Sequence, residues 1–365
     1  MTLAERARGR DNNFNLVRLL AAGLVLVSHS WPLTGTPGEP LERFAGFSLG
    51  HLGVDVFFVV SGFLVTGSLL ARALPAFLRA RALRIFPALF ASAFGVAFVV
   101  GPLVTALPPE RYLGAWETWR FALQNAVTWP LGVRWFLPGV FLGNPGGPAV
   151  NGALWSLPWE LTMYAMLAVV GAVSLATRGG TRRGGGRSGA MVYALAGASI
   201  AAHGLNEAFA LTSRHELVQG FRLVGLFFGA AAFRLAAARV PLRAPLALVA
   251  LAALLAAMAL GGGWQVLYAP ALSYLVLWLA LVPGGPLRLY NRLGDYSYGF
   301  YLWQFPLQQW IVLHRPAASP LELMLLAAPA TLALAALSWH LVEAPALAWK
   351  ERRRGVKADG SVPAP

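Results

Sequence analysis

FNLVRLLAAGLVLVSHSW, residues 14–31, decides the fold. The run is long and apolar enough to cross a bilayer core, which takes about 17–25 residues. It nevertheless carries Arg18 and His29. In lipid such groups are costly, about 2.5–3.5 kcal/mol for a mid-membrane Arg on insertion scales, and they persist where they face a protein interior. Eleven steps of about 100° come within about 20° of three full turns, so Arg18 and His29 project from one helix face, roughly 16 Å apart along the axis. Outward from this segment the pattern repeats: Asp55 opens the second apolar run and Glu160 the fourth. A membrane enzyme or a transporter accounts for such groups; a soluble protein does not.

Composition agrees. The chain has 365 residues, 57% of them hydrophobic and 12% charged, against about 25% charged in a soluble domain. Ten spans are expected, near 14–31, 50–70, 85–107, 154–175, 190–210, 217–237, 245–260, 264–282, 296–314 and 321–341, in an all-α bundle. Only GGG at 261–263 parts the seventh from the eighth. The stretch 108–153 is rich in Trp, Phe, Pro and Gly and reads as material at an interface or capping a cavity. One membrane domain is expected over 1–345, followed by a basic tail at 346–365. The start of the chain reads as an uncleaved first span, because HSWPLTG is a poor cleavage site.

The net charge of +14 reflects topology and not nucleic-acid binding. Segments at 6–10, 72–84, 178–187, 234–243, 288–292 and 350–357 hold 21 of the 29 basic residues, and the alternate loops hold six. The positive-inside rule then places both termini in the cytoplasm. Arg18 lies toward that side; His29, Asp55 and Glu160 lie toward the outer leaflet. The basic runs RRGGGR and KERRR read as anchors against anionic lipid, and the Gly/Arg loop at 178–189 reads as a flexible linker.

Each polar residue alone has a plainer reading. Arg18 can snorkel to headgroups, His29 can sit at the interface, Asp55 can cap a helix, and Glu160 can cap the next among Trp155, Pro158 and Trp159. Their joint occurrence favours a site. Arg81 and Arg84, three apart in RALRIFP (81–87), share a helix face at the mouth of the third span. They suit bidentate capture of a phosphate-bearing donor or simple anchoring. Ser61 in VVSGFL reads as a small packing residue beside Gly62. The histidines lack ligand spacing, so no metal is expected, and there are no cysteines.

The chain resembles the acyltransferase-3 family of integral membrane acyltransferases. The resemblance rests on Arg18-x10-His29, GVDVFFVVSGFL (53–64), RALRIFP (81–87), LWSLPWELTMY (154–164), YSYGFYLWQFP (296–306) and WHLVEAP (339–345). It implies a ten-helix core in a bacterial cytoplasmic membrane. That core would move an acyl group, usually acetyl from acetyl-CoA, to a hydroxyl of a carbohydrate or envelope glycan, with no bound cofactor. It also implies that Arg18, His29, Arg81 and Arg84 are tied to activity, and that Asp55 and Glu160 match recurring acidic positions. Two departures stand out. Where family members often carry His in Y-L-x-H-x-P, this chain has Gln304, so no base is expected there. Some members carry an extracytoplasmic hydrolase-like domain; here such a partner is expected to be a separate protein or absent. A transporter or flippase of a glycan or lipid-linked intermediate is the alternative; it calls for an internal repeat, and none is visible between the halves.

Overall fold

The computed structural model describes residues 1–9, 11–176, 186–260 and 265–349. Most of the Gly/Arg loop, the GGG at 261–263 and the tail from 350 onward lie outside the described residues, as does the KERRR run. Ten long helices cover the ten apolar segments: α1 (Phe14–Leu33), α2 (Leu49–Ala71), α3 (Leu74–Gly95), α4 (Leu157–Ala176), α5 (Gly186–Phe209), α6 (His215–Leu235), α7 (Ala244–Leu260), α8 (Gln265–Leu281), α9 (Ser297–His314) and α10 (Pro320–Ser338). Among the described residues, six helical segments are long and apolar enough to cross a membrane on their own, or seven if a bent pair counts as one. That pair is α8 and the 3₁₀ turn Gly285–Arg292, which meet at 83°. Val282, Pro283 and Gly284 intervene, and proline removes the backbone donor that a continuous helix needs.

Helix ends follow local chemistry. Ser48 caps α2 by accepting from the His51 amide at 3.2 Å, and Ser319 caps α10 from the Glu322 amide at 3.2 Å. Asp55 is therefore no cap. It lies in the second turn of α2 and is 1% exposed. The third helix also departs from expectation. It begins at Leu74, eleven residues before the expected span, and continues through a π-helical turn (Val96–Val100) to Val104. Arg81 and Arg84 thus sit within a helix and not at its mouth. Phe77, Ala80, Ile85 and Ala88 are all buried; this stripe at helical spacing carries the helix outward past the uninterrupted apolar run.

The chain divides into two compact units. The first comprises residues 1–32, 36–74 and 159–297. Here α2 packs against α1, α6 and α8. Its glycines set the spacing: a Cβ on Gly53 would meet the carbonyl of Ala21 in α1, and one on Gly62 would meet the carbonyl of Phe227 in α6. Absent side chains allow such close backbone approach. Phe14 stacks on Phe63 at 5.9 Å. The N-terminal segment is fastened to later chain, with Leu3 N donating to Val240 O (2.8 Å) and Asn13 Nδ2 to Pro283 O (2.8 Å).

The second unit comprises, among the described residues, 33–35, 75–158 and 298–349. The long stretch between α3 and α4 is folded, with short helices at Pro109–Gly114 and Trp116–Val127. Tyr112, Phe121, Phe141 and Val150 form a core with Val96 and Ala97 of the π turn, and Tyr112 OH donates to Ala97 O at 2.7 Å. Asn151 Nδ2 donates to Leu302 O (2.9 Å). The Gln309 amide donates to the carbonyls of Gly147 (2.9 Å) and Ala149 (2.8 Å). The stretch is thereby laced to α9. Trp116, Trp119 and Trp129 remain exposed.

Candidate active site

Arg18, His29, Asp55 and Glu160 all belong to the first unit. Arg18 forms an ion pair with Asp295, and its guanidinium lies 5.8 Å from the centre of the Phe57 ring. Asp295 is itself fixed, accepting from Ser297 Oγ at 2.5 Å. The cation of α1 is therefore oriented by a carboxylate at the foot of α9. An arginine that merely snorkels to headgroups has no such partner.

His29 lies eleven residues further along α1, partly buried. Its neighbour Ser28 donates to Glu39 at 2.5 Å. Glu39 also accepts from the Leu49 amide at 2.5 Å and is 2% exposed. This carboxylate ties the end of α1 to the start of α2. His29 lies within electrostatic reach of His51, as do His215 and Arg222.

Asp55 has both oxygens engaged. One accepts from Arg222 and the other from Tyr268 OH at 2.8 Å. Arg222 is held in turn by Gln219, which accepts from Nε at 3.1 Å and from the second terminal nitrogen at 2.6 Å. The network joins α2, α6 and α8, and Asp55 and Arg222 are both buried. Charges buried this deeply persist when paired and hydrogen-bonded. Glu160, in the first turn of α4, accepts from Tyr164 OH and from Ser61 Oγ (3.2 Å) on the same oxygen. Ser61 is thus more than packing: it binds a carboxylate, while Gly62 beside it makes the close approach.

Arg81 and Arg84 belong to the second unit. Arg84 pairs with Glu343 at 3.2 Å. It also lies 5.7 Å from the Tyr298 ring centre and 6.0 Å from that of Trp339. Ser338 Oγ donates to the other oxygen of Glu343 at 3.1 Å. WHLVEAP therefore supplies the counter-ion and one aromatic wall of Arg84, at a π-helical turn over Trp339–Glu343. Arg81 lies three residues earlier on the same face, partly buried.

Sequence reasoning missed Asp295, Arg222, Tyr268 and Glu39. Arg222 carried the clearest signal, as a second arginine inside an apolar run. Asp295 lies just outside a span, and Glu39 lies in a loop, where a carboxylate attracts no notice. Among the described residues no group of three or more His, Asp and Glu side chains is placed to hold a metal ion.

Comparison with known proteins bears on this arrangement. The sequence model of the acyltransferase-3 family, described as an acyltransferase domain, matches residues 11–340. The chain is similar to an O-acetyl transferase of Shigella phage Sf6, 27% identical over 354 residues, covering 92% of this chain and 95% of the phage protein. It is also similar to nodulation protein 10 of Rhizobium leguminosarum bv. viciae, 35% identical over 171 residues. That match covers 46% of each of the two chains. No solved structure matches. The match across nearly the whole chain shows that this protein belongs to the acyltransferase-3 family.

Proposed function

We propose that the protein moves an acyl group, acetyl by default, from acyl-CoA to a hydroxyl of a carbohydrate or cell-envelope glycan, at a bacterial cytoplasmic membrane. Ten spans with both termini in the cytoplasm go with this reading. The observation that carries it is the first helix: an arginine fixed by Asp295 and a histidine eleven residues on, inside a membrane protein of an acyltransferase family. The similarity to an O-acetyl transferase along 92% of the chain supports the acetyl group.

In this scheme Arg81 and Arg84 hold the donor's phosphates, and Arg18 steadies the donor arm. The His29 imidazole takes the proton of the acceptor hydroxyl as general base. The oxygen attacks the thioester carbonyl, a C–O bond forms and the C–S bond breaks. The departing thiolate recovers the proton from the imidazolium. Transient acylation of His29 is the covalent variant. Asp55 fixes Arg222 and Tyr268, and Glu160 fixes Tyr164 and Ser61. These carboxylates set the charge of the surroundings in which His29 works.

The test is turnover of radiolabelled acetyl-CoA by purified protein in liposomes, wild type beside His29→Ala, with envelope glycans as acceptors. Label is expected on glycan with the wild type and absent with the variant. A folded His29→Ala protein with full activity would overturn the scheme. Retained donor binding after joint replacement of Arg81 and Arg84 by Ala would remove the phosphate assignment alone.

A further inference from the structure

Three residues of α9, Tyr301, Gln304 and Gln308, fall within about 60° of one another around the helix axis. They form a polar stripe that is almost wholly buried, with Gln304 and Gln308 each at 0% exposure. Tyr301 is engaged, since its hydroxyl donates to Ala153 O and lies 2.7 Å from Ser156 Oγ. Gln304 differs. Neither its Nε2 nor its Oε1 has a hydrogen-bond partner among the described residues. Thr331 of α10 is likewise 0% exposed, and its Oγ1 has no partner among the described residues.

Gly299 faces Ala335 and Ser338 of α10, and Gln304, five residues on, is turned about 140° from that face, so the two unmet groups are separate. An unmet buried polar group costs about 1–3 kcal/mol, and Gln304 alone presents two such atoms. The guest that satisfies Gln304 must accept one hydrogen bond and donate another, and it need carry no charge.

We propose that Gln304 forms a subsite for a secondary amide in the pantetheine arm of the acyl donor. This rests on the acyl-CoA reading above. A secondary amide offers one N–H and one C=O, the complement of the two open atoms of Gln304. The order along α9 agrees. The guanidinium of Arg84 stands against Tyr298, and Gln304 follows six residues later, about 9 Å further along the axis. A donor with phosphates at one end and amides along its chain presents its groups in the same order. The neighbours Leu302 and Phe305 are apolar and buried, which suits a chain with sparse polar groups better than a sugar crowded with hydroxyls. A glutamine binds such a group without exchanging protons.

The test uses thermal unfolding of the full chain in detergent, for wild type, Gln304→Met and Gln304→Asn, which withdraws the amide by one methylene. The probes are pantetheine, adenosine bisphosphate (the nucleotide half of CoA) and acetyl-CoA, together with KM and kcat for acetyl-CoA. Pantetheine is expected to raise the Tm of the wild type and not that of Gln304→Met. The nucleotide half is expected to raise both equally. KM for acetyl-CoA should rise about tenfold in Gln304→Met, the size of one to two lost hydrogen bonds, with kcat little changed. A pantetheine shift that survives Gln304→Met would overturn the subsite, as would equal loss of both shifts. If Gln304→Met does not fold, Gln304→Asn decides: unchanged pantetheine and acetyl-CoA affinity overturns the proposal. Failure of acetyl-CoA and of its nucleotide half to shift the wild type would overturn the acyl-CoA reading itself, and the subsite with it.

Discussion

Asp55 shows what a single residue holds in place. Its two oxygens bind Arg222 and Tyr268, so Asp55→Ala leaves a guanidinium buried without its carboxylate. Breaking a buried pair in this way costs about 3–5 kcal/mol. Asp55→Ala is expected to lower the Tm in detergent sharply, whereas Asp55→Leu combined with Arg222→Met, which removes both charges, restores most of it. A double-mutant cycle on Tm checks this, and a strictly additive result would refute the coupling. Glu160→Gln is milder, because the amide oxygen still accepts from Tyr164 and Ser61. It is expected to fold normally and to lose activity at least tenfold, since only the negative charge is gone. At this scale the sequence showed which residues were out of place but not what they touch. Arg18 and Asp55 stood out against apolar neighbours, while their partners Asp295 and Arg222 lie 277 and 167 residues away in sequence. No local pattern encodes a contact at that range.

At the scale of the helix the apolar runs were enough to locate all ten helices but not their ends. The expected third span began at 85 because hydropathy falls where arginines enter, yet the helix begins at Leu74. Backbone hydrogen bonding and a buried stripe set that boundary, not transfer into lipid. Helix contacts are set by glycines whose role sequence spacing alone does not reveal. Gly62→Ala in α2 would drive a methyl group into the Phe227 carbonyl. It is expected to cost about 1–3 kcal/mol by overpacking. Gly23→Ala in α1 meets nothing within 4 Å and should stabilise by about 0.5–1 kcal/mol through helix propensity. Paired thermal melts distinguish the two, and equal effects would refute the packing account.

For the molecule as a whole, the proposed ten crossings with both ends inside make a claim about sides of a membrane. The chain contains no cysteine, so single cysteines can be introduced and labelled without background. Cysteines replacing Thr36 and Gly143 are expected to react with an impermeant maleimide added outside intact cells. Those replacing Ala73 and Ala238 are expected to react only after the membrane is opened. Labelling of Ala238→Cys from outside would break the ten-crossing scheme. The folded stretch between α3 and α4 was legible only as a composition. Its core is assembled from residues scattered over 96–150, with no period for a sequence to display.

The fastening of the N-terminal segment also has a consequence in time. Leu3 waits for Val240, Asn13 for Pro283, and Arg18 for Asp295. A chain emerging from the ribosome must lodge its first helix, arginine included, long before any of these partners has been made. For most of synthesis that arginine is solvated by water, headgroups or the insertion machinery. The last third of the chain thus completes the first helix, and nascent chains halted before Asp295 should be degraded even though their opening segment is unaltered.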